Sequence, residues 1–177
     1  PFHPLINKAI QGTSTPGSIF KIITAIAGLE EQIIDPQTTF FCHGRYDFIN
    51  RPRCWKRGGH GTMDLYSALE QSCDVYFYSV GHRLGVDKMA YYASLFGLGK
   101  ETGIVLEGEK CGLIPTTTWK KKVYGVSWQQ GETLSTSIGQ SFVLCTPLQV
   151  ALMMNTVASN GTLYVPHLSL KVMNRAG

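Results

Sequence analysis

The chain has 177 residues, of which 44% are hydrophobic and 16% charged, and its net charge is +4. This composition excludes an intrinsically disordered chain, and the length suits one domain with a sizeable core. The densest basic cluster, residues 120–122, has no interleaved aromatic residues, so no nucleic-acid partner is expected. No stretch approaches the roughly 20 apolar residues of a membrane span.

The first predicted element is a buried helix at residues 18–31. Apolar side chains recur there at helical spacing with small residues between them, and Pro16-Gly17 gives a turn signal just before it. Residues 38–61 are rich in Gly, Arg and aromatic residues and are expected to be irregular.

Three helices are predicted in the next part of the chain. The first begins near Asp64 and ends around Ser72, and two more follow at residues 75–84 and 87–96. The pattern therefore indicates a cluster of short helices that follow one another closely.

The last part of the chain is predicted to be mixed. Residues 102–141 hold many Gly and Thr residues, which favours loops with short strands. Thr146-Pro147 is typical of an N-cap and first helical turn, and the helix that it starts is expected to end at Asn160-Gly161. A strand is then expected to begin at residues 162–166.

Ser18-Ile19-Phe20-Lys21 has the S-x-x-K arrangement of penicillin-interactive serine enzymes. Residues at i and i+3 share one helix face with Cβ atoms about 5–6 Å apart, so Lys21 can reach the Ser18 hydroxyl. A serine needs an adjacent base, and only a buried lysine, or one near other positive charge, is readily the neutral amine that accepts a proton. A capping serine before an amphipathic helix is the alternative interpretation of this motif alone. The apolar residues that suit burial of the lysine are Ile19, Phe20, Ile22 and Ile23.

Ser72-Cys73-Asp74 forms a second motif at the predicted break between two helices. With it, the chain resembles class B penicillin-binding proteins, and in particular the elongation-type branch, penicillin-binding protein 2. The resemblance covers nearly the whole chain in order. The stretches that carry it are residues 15–21, 53–62, 69–78, 102–104, 115–116, 138–140 and 146–149.

The resemblance implies an α+β fold of the penicillin-binding transpeptidase/β-lactamase type, in which a helical cluster packs on a mostly antiparallel sheet. It also implies a serine D,D-transpeptidase at the periplasmic face of the bacterial inner membrane. Such an enzyme cross-links peptidoglycan stem peptides ending in D-Ala-D-Ala during cell elongation and is acylated by β-lactams. By the same resemblance, a lipid-linked glycan polymerase and rod-shape scaffold proteins are the expected partners.

The family's motifs give each site residue an expected role. Ser18 would be the nucleophile and Lys21 its base, while Ser72 would pass a proton to the leaving group. Asp74 departs from the Asn that usually ends the second motif, and its carboxylate would favour the charged form of Lys21. The position of Ser18 at a helix N-terminus also suits its N–H for stabilising an oxyanion.

The third motif of the family, K-T-G or K-S-G, does not occur in these residues. We therefore expect residues 1–177 to be a partial transpeptidase domain, incomplete at the C-terminal strands and inactive alone; a degenerate homologue is the alternative. Three other functions stay open: a D,D-carboxypeptidase or β-lactamase that resolves the acyl-enzyme with water, a division-specific transpeptidase, and a non-catalytic β-lactam-binding module.

Three cysteines and one histidine form a C-x11-C-x5-H-x12-C pattern, and this donor set matches a closed tetrahedral zinc site. Elongation-type relatives have zinc at this place with a mixed ligand set, which the resemblance extends to this chain. A disulfide between the first two cysteines, or unlinked buried thiols, are the alternatives. The four candidate zinc ligands are Cys42, Cys54, His60 and Cys73.

The remaining cysteines and the tryptophans have simpler interpretations. His43 is a possible substitute ligand because it adjoins the first cysteine, and Cys111 and Cys145 are interpreted as structural. Residues 138–140 are expected to set backbone geometry near the cleft. The tryptophans, expected to be core or loop anchors rather than ligand stacks, are Trp55, Trp119 and Trp128.

Overall fold

The structure is a computed structural model that describes residues 5–48 and 50–169. Within these residues the chain forms eight α-helices and one sheet of two short antiparallel strands. The helices are α1 (Lys8–Gln11), α2 (Lys21–Glu30), α3 (Leu65–Glu70), α4 (Asp74–Leu84), α5 (Val86–Leu95), α6 (Thr117–Tyr124), α7 (Gln130–Ser137) and α8 (Pro147–Ala158), and the strands are β1 (Phe40–Cys42) and β2 (Gly61–Met63).

Helix α4 lies at the centre of the fold. Its sequence is apolar on almost every side, which is typical of a helix that is surrounded by protein, and Tyr76, Phe77 and Val80 are fully buried. It packs against α2, α7 and β1. The contact between Lys21 and Asp74 places the first turn of α4 beside that of α2, so the two predicted motifs lie at the beginnings of these two helices.

The break between α3 and α4 is short and well defined. Asp64 caps α3 by accepting the Ser67 N–H at 2.9 Å, and the Ser67 hydroxyl completes the capping box. The helix ends at Glu70, and α4 starts at Asp74. Ser72, between them, has a φ of +52°, which is uncommon for a residue other than glycine.

The helices predicted in the first half of the chain are confirmed, but residues 102–141 were predicted wrongly. They contain α6 and α7 instead of loops with short strands. Thr116 caps α6 by accepting the Trp119 N–H at 2.9 Å, and an ion pair joins the buried Lys120 of α6 to the partly exposed Glu132 of α7. The helical pattern of this segment is weak, and a tertiary contact of this kind cannot be predicted from it. The two helices were therefore not predicted.

The strand expected at residues 162–166 is also absent from the described structure, in which this segment is irregular. A strand needs a partner for its backbone groups, and no segment of residues 5–48 or 50–169 pairs with it. In the same residues, no helix has both the length and the apolar character needed to cross a lipid bilayer.

Candidate active site

Ser18 lies in a single 3-10 turn, Gly17–Phe20, that runs directly into α2. The Gly17 N–H donates to the carbonyl of Gly139 at 3.0 Å. Gly139 has a φ of +70°, and a Cβ there would lie 2.2 Å from the Gly17 oxygen. Residues 138–140 thus set the backbone geometry of the serine turn, as expected, and only glycine fits this contact.

Residues 17–30, here called the nucleophile segment, are fixed from their buried side. The Thr24 hydroxyl donates to the Ser137 carbonyl at the end of α7 at 2.8 Å. Phe20 and Ile23 are fully buried on the same side of the helix. The segment is therefore attached to α7 and to the loop that follows it, which lie far away in sequence.

The four predicted catalytic positions form one hydrogen-bonded chain. The Ser72 hydroxyl lies 2.8 Å from Ser18 Oγ and 2.9 Å from Lys21 Nζ. Lys21 Nζ also donates to the Ser72 carbonyl at 2.9 Å and to Asp74 Oδ1 at 2.6 Å. Within the described residues, Lys21 is joined to Ser18 through Ser72, whereas the sequence predicted a direct approach.

Lys21 is buried, as the sequence predicted, but the prediction for its neighbours was partly wrong. The lysine side chain is only 2% exposed, and its Nζ lies 5.6 Å from the centre of the Phe77 ring on α4. Ile19, which was expected to help bury it, is itself 42% exposed. The burial of Lys21 comes from α4 as well as from its own helix.

Trp55 contacts the second motif, which the sequence did not indicate. Its backbone N–H donates to Asp74 Oδ2 at 3.0 Å, and its indole N–H lies 3.0 Å from the Ser72 carbonyl and 3.2 Å from that of Gln71. The only signal in the sequence is that Trp55 directly follows the candidate ligand Cys54.

The four candidate zinc ligands, here called the cysteine cluster, come together beside the second motif. Their ligand atoms all lie within 4.8 Å of one another. His60 Nδ1 is 3.6 Å from Cys42 Sγ and 3.5 Å from Cys54 Sγ. Cys73, the fourth member, is the residue between Ser72 and Asp74, so the cluster and the hydrogen-bonded chain share one short segment.

Two alternatives for the cysteine cluster are not seen in the structure. Cys42 and Cys54 are both free thiols, so they do not form a disulfide. His43 lies at the surface, where its Nε2 is 3.2 Å from an Asp47 carboxylate oxygen. His60, not His43, is therefore the histidine of the cluster.

Two distances in the cysteine cluster can be compared with those around a tetrahedral zinc ion. Zinc bonds are usually about 2.3 Å long to sulfur and about 2.0–2.1 Å long to nitrogen. In a tetrahedral site, a sulfur ligand and a nitrogen ligand are therefore about 3.5–3.6 Å apart. The two sulfur-to-nitrogen distances at His60 match this separation. A hydrogen bond with Cys73 lowers the pKa of the Cys54 thiol, and the same contact raises the pKa of the Cys73 thiol. One member of this thiol pair is thus favoured as the thiolate that a metal requires.

Comparison with known proteins relates the whole chain to one family. The penicillin binding protein transpeptidase domain family matches residues 2–175. Peptidoglycan D,D-transpeptidase MrdA of Salmonella typhimurium is 41% identical over 170 residues, covering 94% of this chain and 27% of its own length. The chain therefore spans about a quarter of the length of the curated relatives that it matches.

Solved structures show the same relationship. Penicillin-binding protein 2 (PBP2) of Pseudomonas aeruginosa, crystallised in complex with WCK 5153, superimposes with a TM-score of 0.92 at 37% identity, covering 95% of this chain and 37% of that one. PBP2 of Helicobacter pylori, in complex with MreC, gives a TM-score of 0.90 at 35% identity, covering 94% and 32%. At 37% and 35% identity, the chain is similar to these two proteins in sequence as well as in fold.

Proposed function

This chain belongs to the penicillin-binding protein transpeptidase family, and on that premise we propose that the full-length protein is a serine D,D-transpeptidase that cross-links peptidoglycan during cell elongation. The observation that carries the proposal is the hydrogen-bonded chain from Ser18 through Ser72 to Lys21 and Asp74. The MrdA relatives, 36–41% identical in Salmonella typhimurium and Escherichia coli, support it.

The hydrogen-bonded chain provides a path for the serine proton. When Lys21 is the neutral amine, its lone pair accepts the Ser72 hydroxyl proton while Ser72 Oγ accepts the proton of Ser18. Attack of Ser18 then moves one proton along this path and leaves Lys21 as an ammonium, whose three N–H groups match the three acceptors seen around it. The polarity of the chain reverses as the proton moves, so the same atoms serve both directions.

The proposed substrate is a stem peptide ending in D-Ala-D-Ala. Ser18 Oγ attacks the carbonyl between the two alanines, and the carbon–nitrogen bond breaks as the proton returns through Ser72 to the departing amine. An amine from a neighbouring stem peptide then attacks the ester, forms the cross-link and frees Ser18. A β-lactam would acylate the same serine, because its amide carbonyl occupies the same place.

Asp74 has a charge-balancing role in this proposal. It accepts from Lys21 with one oxygen and from the Trp55 N–H with the other, so both carboxylate oxygens have a partner. The carboxylate lies 2.6 Å from Lys21 Nζ, so the ammonium that forms when Ser18 loses its proton has an opposite charge beside it.

We place the full-length protein outside the cytoplasm, at the periplasmic face of the bacterial inner membrane, where its substrate would be. A lipid-linked glycan polymerase and rod-shape scaffold proteins are its proposed partners. The complex of the Helicobacter pylori relative with MreC supports a protein partner for this family.

Labelling by a fluorescent penicillin tests the proposal. The full-length protein should be labelled, and Ser18→Ala should not, because only Ser18 has an exposed hydroxyl joined to Lys21 through Ser72 among the described residues. Ser14→Ala, a change four positions earlier at another exposed serine, is the matched control and should be labelled like the wild type.

The products then separate the related functions. Cross-linked peptide in the presence of an amine acceptor supports transpeptidation, whereas only hydrolysed stem peptide indicates a carboxypeptidase or β-lactamase-type enzyme. Labelling without any product indicates a non-catalytic β-lactam-binding module, and equal labelling of Ser18→Ala would overturn the assignment of the nucleophile.

We also propose that the cysteine cluster holds a structural zinc ion. Support comes from the donor set of three sulfurs and one nitrogen and from the sulfur-to-nitrogen distances of 3.6 and 3.5 Å. Such an ion would connect β1, the following loop and the segment before α4. Its role would be structural, to hold these protein segments together, since four protein ligands leave no open position for a substrate.

Metal content measures this proposal without any assay of activity. The purified full-length protein should contain about one zinc per chain, and cobalt substitution should give the absorption bands of a tetrahedral thiolate site. Cys42→Ser should lose both. Cys145→Ser, a buried cysteine outside the cluster, should keep both, and zinc-free wild-type protein would refute the proposal.

A further inference from the structure

Trp55 lies between the cysteine cluster and the hydrogen-bonded chain. Its backbone N–H and its indole N–H both donate to residues of the second motif. The side chain is exposed, with 63% of the residue's surface accessible, yet its indole N–H points at the Ser72 and Gln71 carbonyls and its backbone N–H at Asp74 Oδ2. An exposed indole can bond to water at no cost. These contacts are therefore not needed to satisfy Trp55 itself, and their effect falls on the residues that accept them.

Ser72 is the residue that needs such support. Its φ of +52° is a left-handed conformation, which a residue with a Cβ adopts only when surrounding contacts hold it. The Ser72 carbonyl accepts from the Trp55 indole at 3.0 Å and from Lys21 at 2.9 Å. If the backbone of Ser72 changed conformation, its hydroxyl would move away from Ser18 and Lys21. The hydrogen-bonded path for the proton would then be broken.

The contact with Asp74 acts on the other end of the second motif. Lys21 takes Oδ1 of the carboxylate and the Trp55 N–H takes Oδ2. The two donors together fix the plane of the carboxylate, so Lys21 stays within reach of Ser72 Oγ. Since this second donor is a backbone group, every substitution at position 55 except proline keeps it, and the indole contact can be removed alone.

We propose that Trp55 is a positioning residue for acylation, whose indole N–H holds Ser72 in the left-handed conformation that places its hydroxyl between Ser18 and Lys21. The inference rests on the proposed serine acyl transfer and adds to it a residue outside the family's S-x-x-K and second motifs. It acts through Ser72 and is not itself one of the reacting groups.

The test compares two variants that each remove one indole N–H from the full-length protein. Trp55→Phe keeps an aromatic ring and loses the bond to Ser72. Trp128→Phe is the matched control, because the Trp128 indole also donates one hydrogen bond, to Thr133 Oγ1 at 2.8 Å, which does not involve the second motif. Stopped-flow acylation by a fluorescent penicillin gives the dissociation constant and the acylation rate constant separately for each.

The expected result is a loss confined to the chemical step of one variant. Trp55→Phe should lower the acylation rate constant about tenfold with an unchanged dissociation constant, since a hydrogen bond that holds the reacting geometry is lost. Trp128→Phe should keep the wild-type rate constant. An unchanged rate constant in Trp55→Phe, an equal loss in both variants, or a change confined to the dissociation constant would each overturn the proposal.

A second measurement separates this proposal from the proposed function. With 15N-indole-labelled tryptophan, the Trp55 indole N–H should exchange with solvent more slowly than that of a free indole, although the side chain is exposed. If the wild type is not acylated, the proposed function fails, and rapid exchange of this N–H would reject the positioning role independently. Slow exchange together with the acylation defect supports both.

Discussion

The nucleophile segment and residues 42–60, here called the cysteine loop, position two parts of one site in different ways. The nucleophile segment is mostly helical and is attached through the Gly17–Gly139 and Thr24–Ser137 hydrogen bonds to residues more than 100 positions later. The described residues of the cysteine loop form no helix between β1 and β2; backbone hydrogen bonds such as that from the Cys54 N–H to the Gly44 carbonyl join parts of the loop, and three of its side chains meet Cys73 in the cysteine cluster. The site is thus built from one packed helical element and one irregular loop.

The largest expected effect breaks the attachment of the nucleophile segment. Gly139→Ala places a Cβ 2.2 Å from the Gly17 oxygen at a φ of +70°, and we expect about 3–4 kcal/mol of destabilisation with loss of penicillin labelling. Urea unfolding of the full-length protein measures it. Gly125→Ala, at a φ of +71° with no atom within 4 Å of its Cβ, should cost about 1 kcal/mol; equal effects would show that backbone strain alone matters.

Removing the proposed metal should act on the cysteine loop and leave the nucleophile segment folded. A chelator should destabilise the protein by about 2–3 kcal/mol and let trypsin cleave at the exposed Lys56 and Arg57. Cleavage at the exposed Lys121 and Lys122 should not change. Mass spectrometry of the fragments locates the cuts, and protection of the loop in chelator would contradict its dependence on metal.

A smaller loss is expected for a single hydrogen bond of the nucleophile segment. Thr24→Val keeps the shape of a fully buried side chain but removes the 2.8 Å bond to the Ser137 carbonyl, for an expected cost of about 2 kcal/mol. Thr156→Val is the control. Its hydroxyl bonds to the Leu152 carbonyl within α8, so its loss should cost only about 0.5 kcal/mol. Equal midpoint shifts in urea would show that the contact between α2 and α7 adds nothing.

The smallest effect concerns the N-cap of α3, the helix that lies between the cysteine loop and the second motif. The Ser67 hydroxyl and N–H hold the pKa of Asp64 below its ordinary value of 3.8. Because the folded-state pKa is the lower one, this stabilisation is complete above pH 3.8 and is lost as the pH falls through the folded-state pKa. Asp64→Asn keeps a capping oxygen without the titration, so its stability should fall less than that of the wild type between pH 5 and pH 2, measured by thermal unfolding; parallel curves would exclude the contribution.

The sequence was sufficient where a local pattern and its structure coincide. The spacing of Ser18 and Lys21 on one helix, the N-cap at Thr146 and the four ligand types of the cysteine cluster are all local or compositional features. The structure confirms the N-cap at Thr146 and brings the four side chains of the cysteine cluster together, but it joins Lys21 to Ser18 through Ser72 rather than directly. Helices α6 and α7 were missed because their sequences are polar and give only a weak helical pattern, and the Lys120–Glu132 ion pair that joins them is a tertiary contact.

By itself, the sequence determined the family, the identity of the nucleophile and base candidates, and the residue types at the cysteine cluster, because motif spacing and side-chain chemistry are written along the chain. Only the tertiary structure decided that Lys21 meets Ser18 through Ser72, that Ser72 is left-handed, and that the Trp55 indole donates to the Ser72 carbonyl. These features depend on how α2, the cysteine loop and the start of α4 lie relative to one another. They arise when the burial of α4 brings those segments together, and packing of that kind leaves no periodic signal in the sequence.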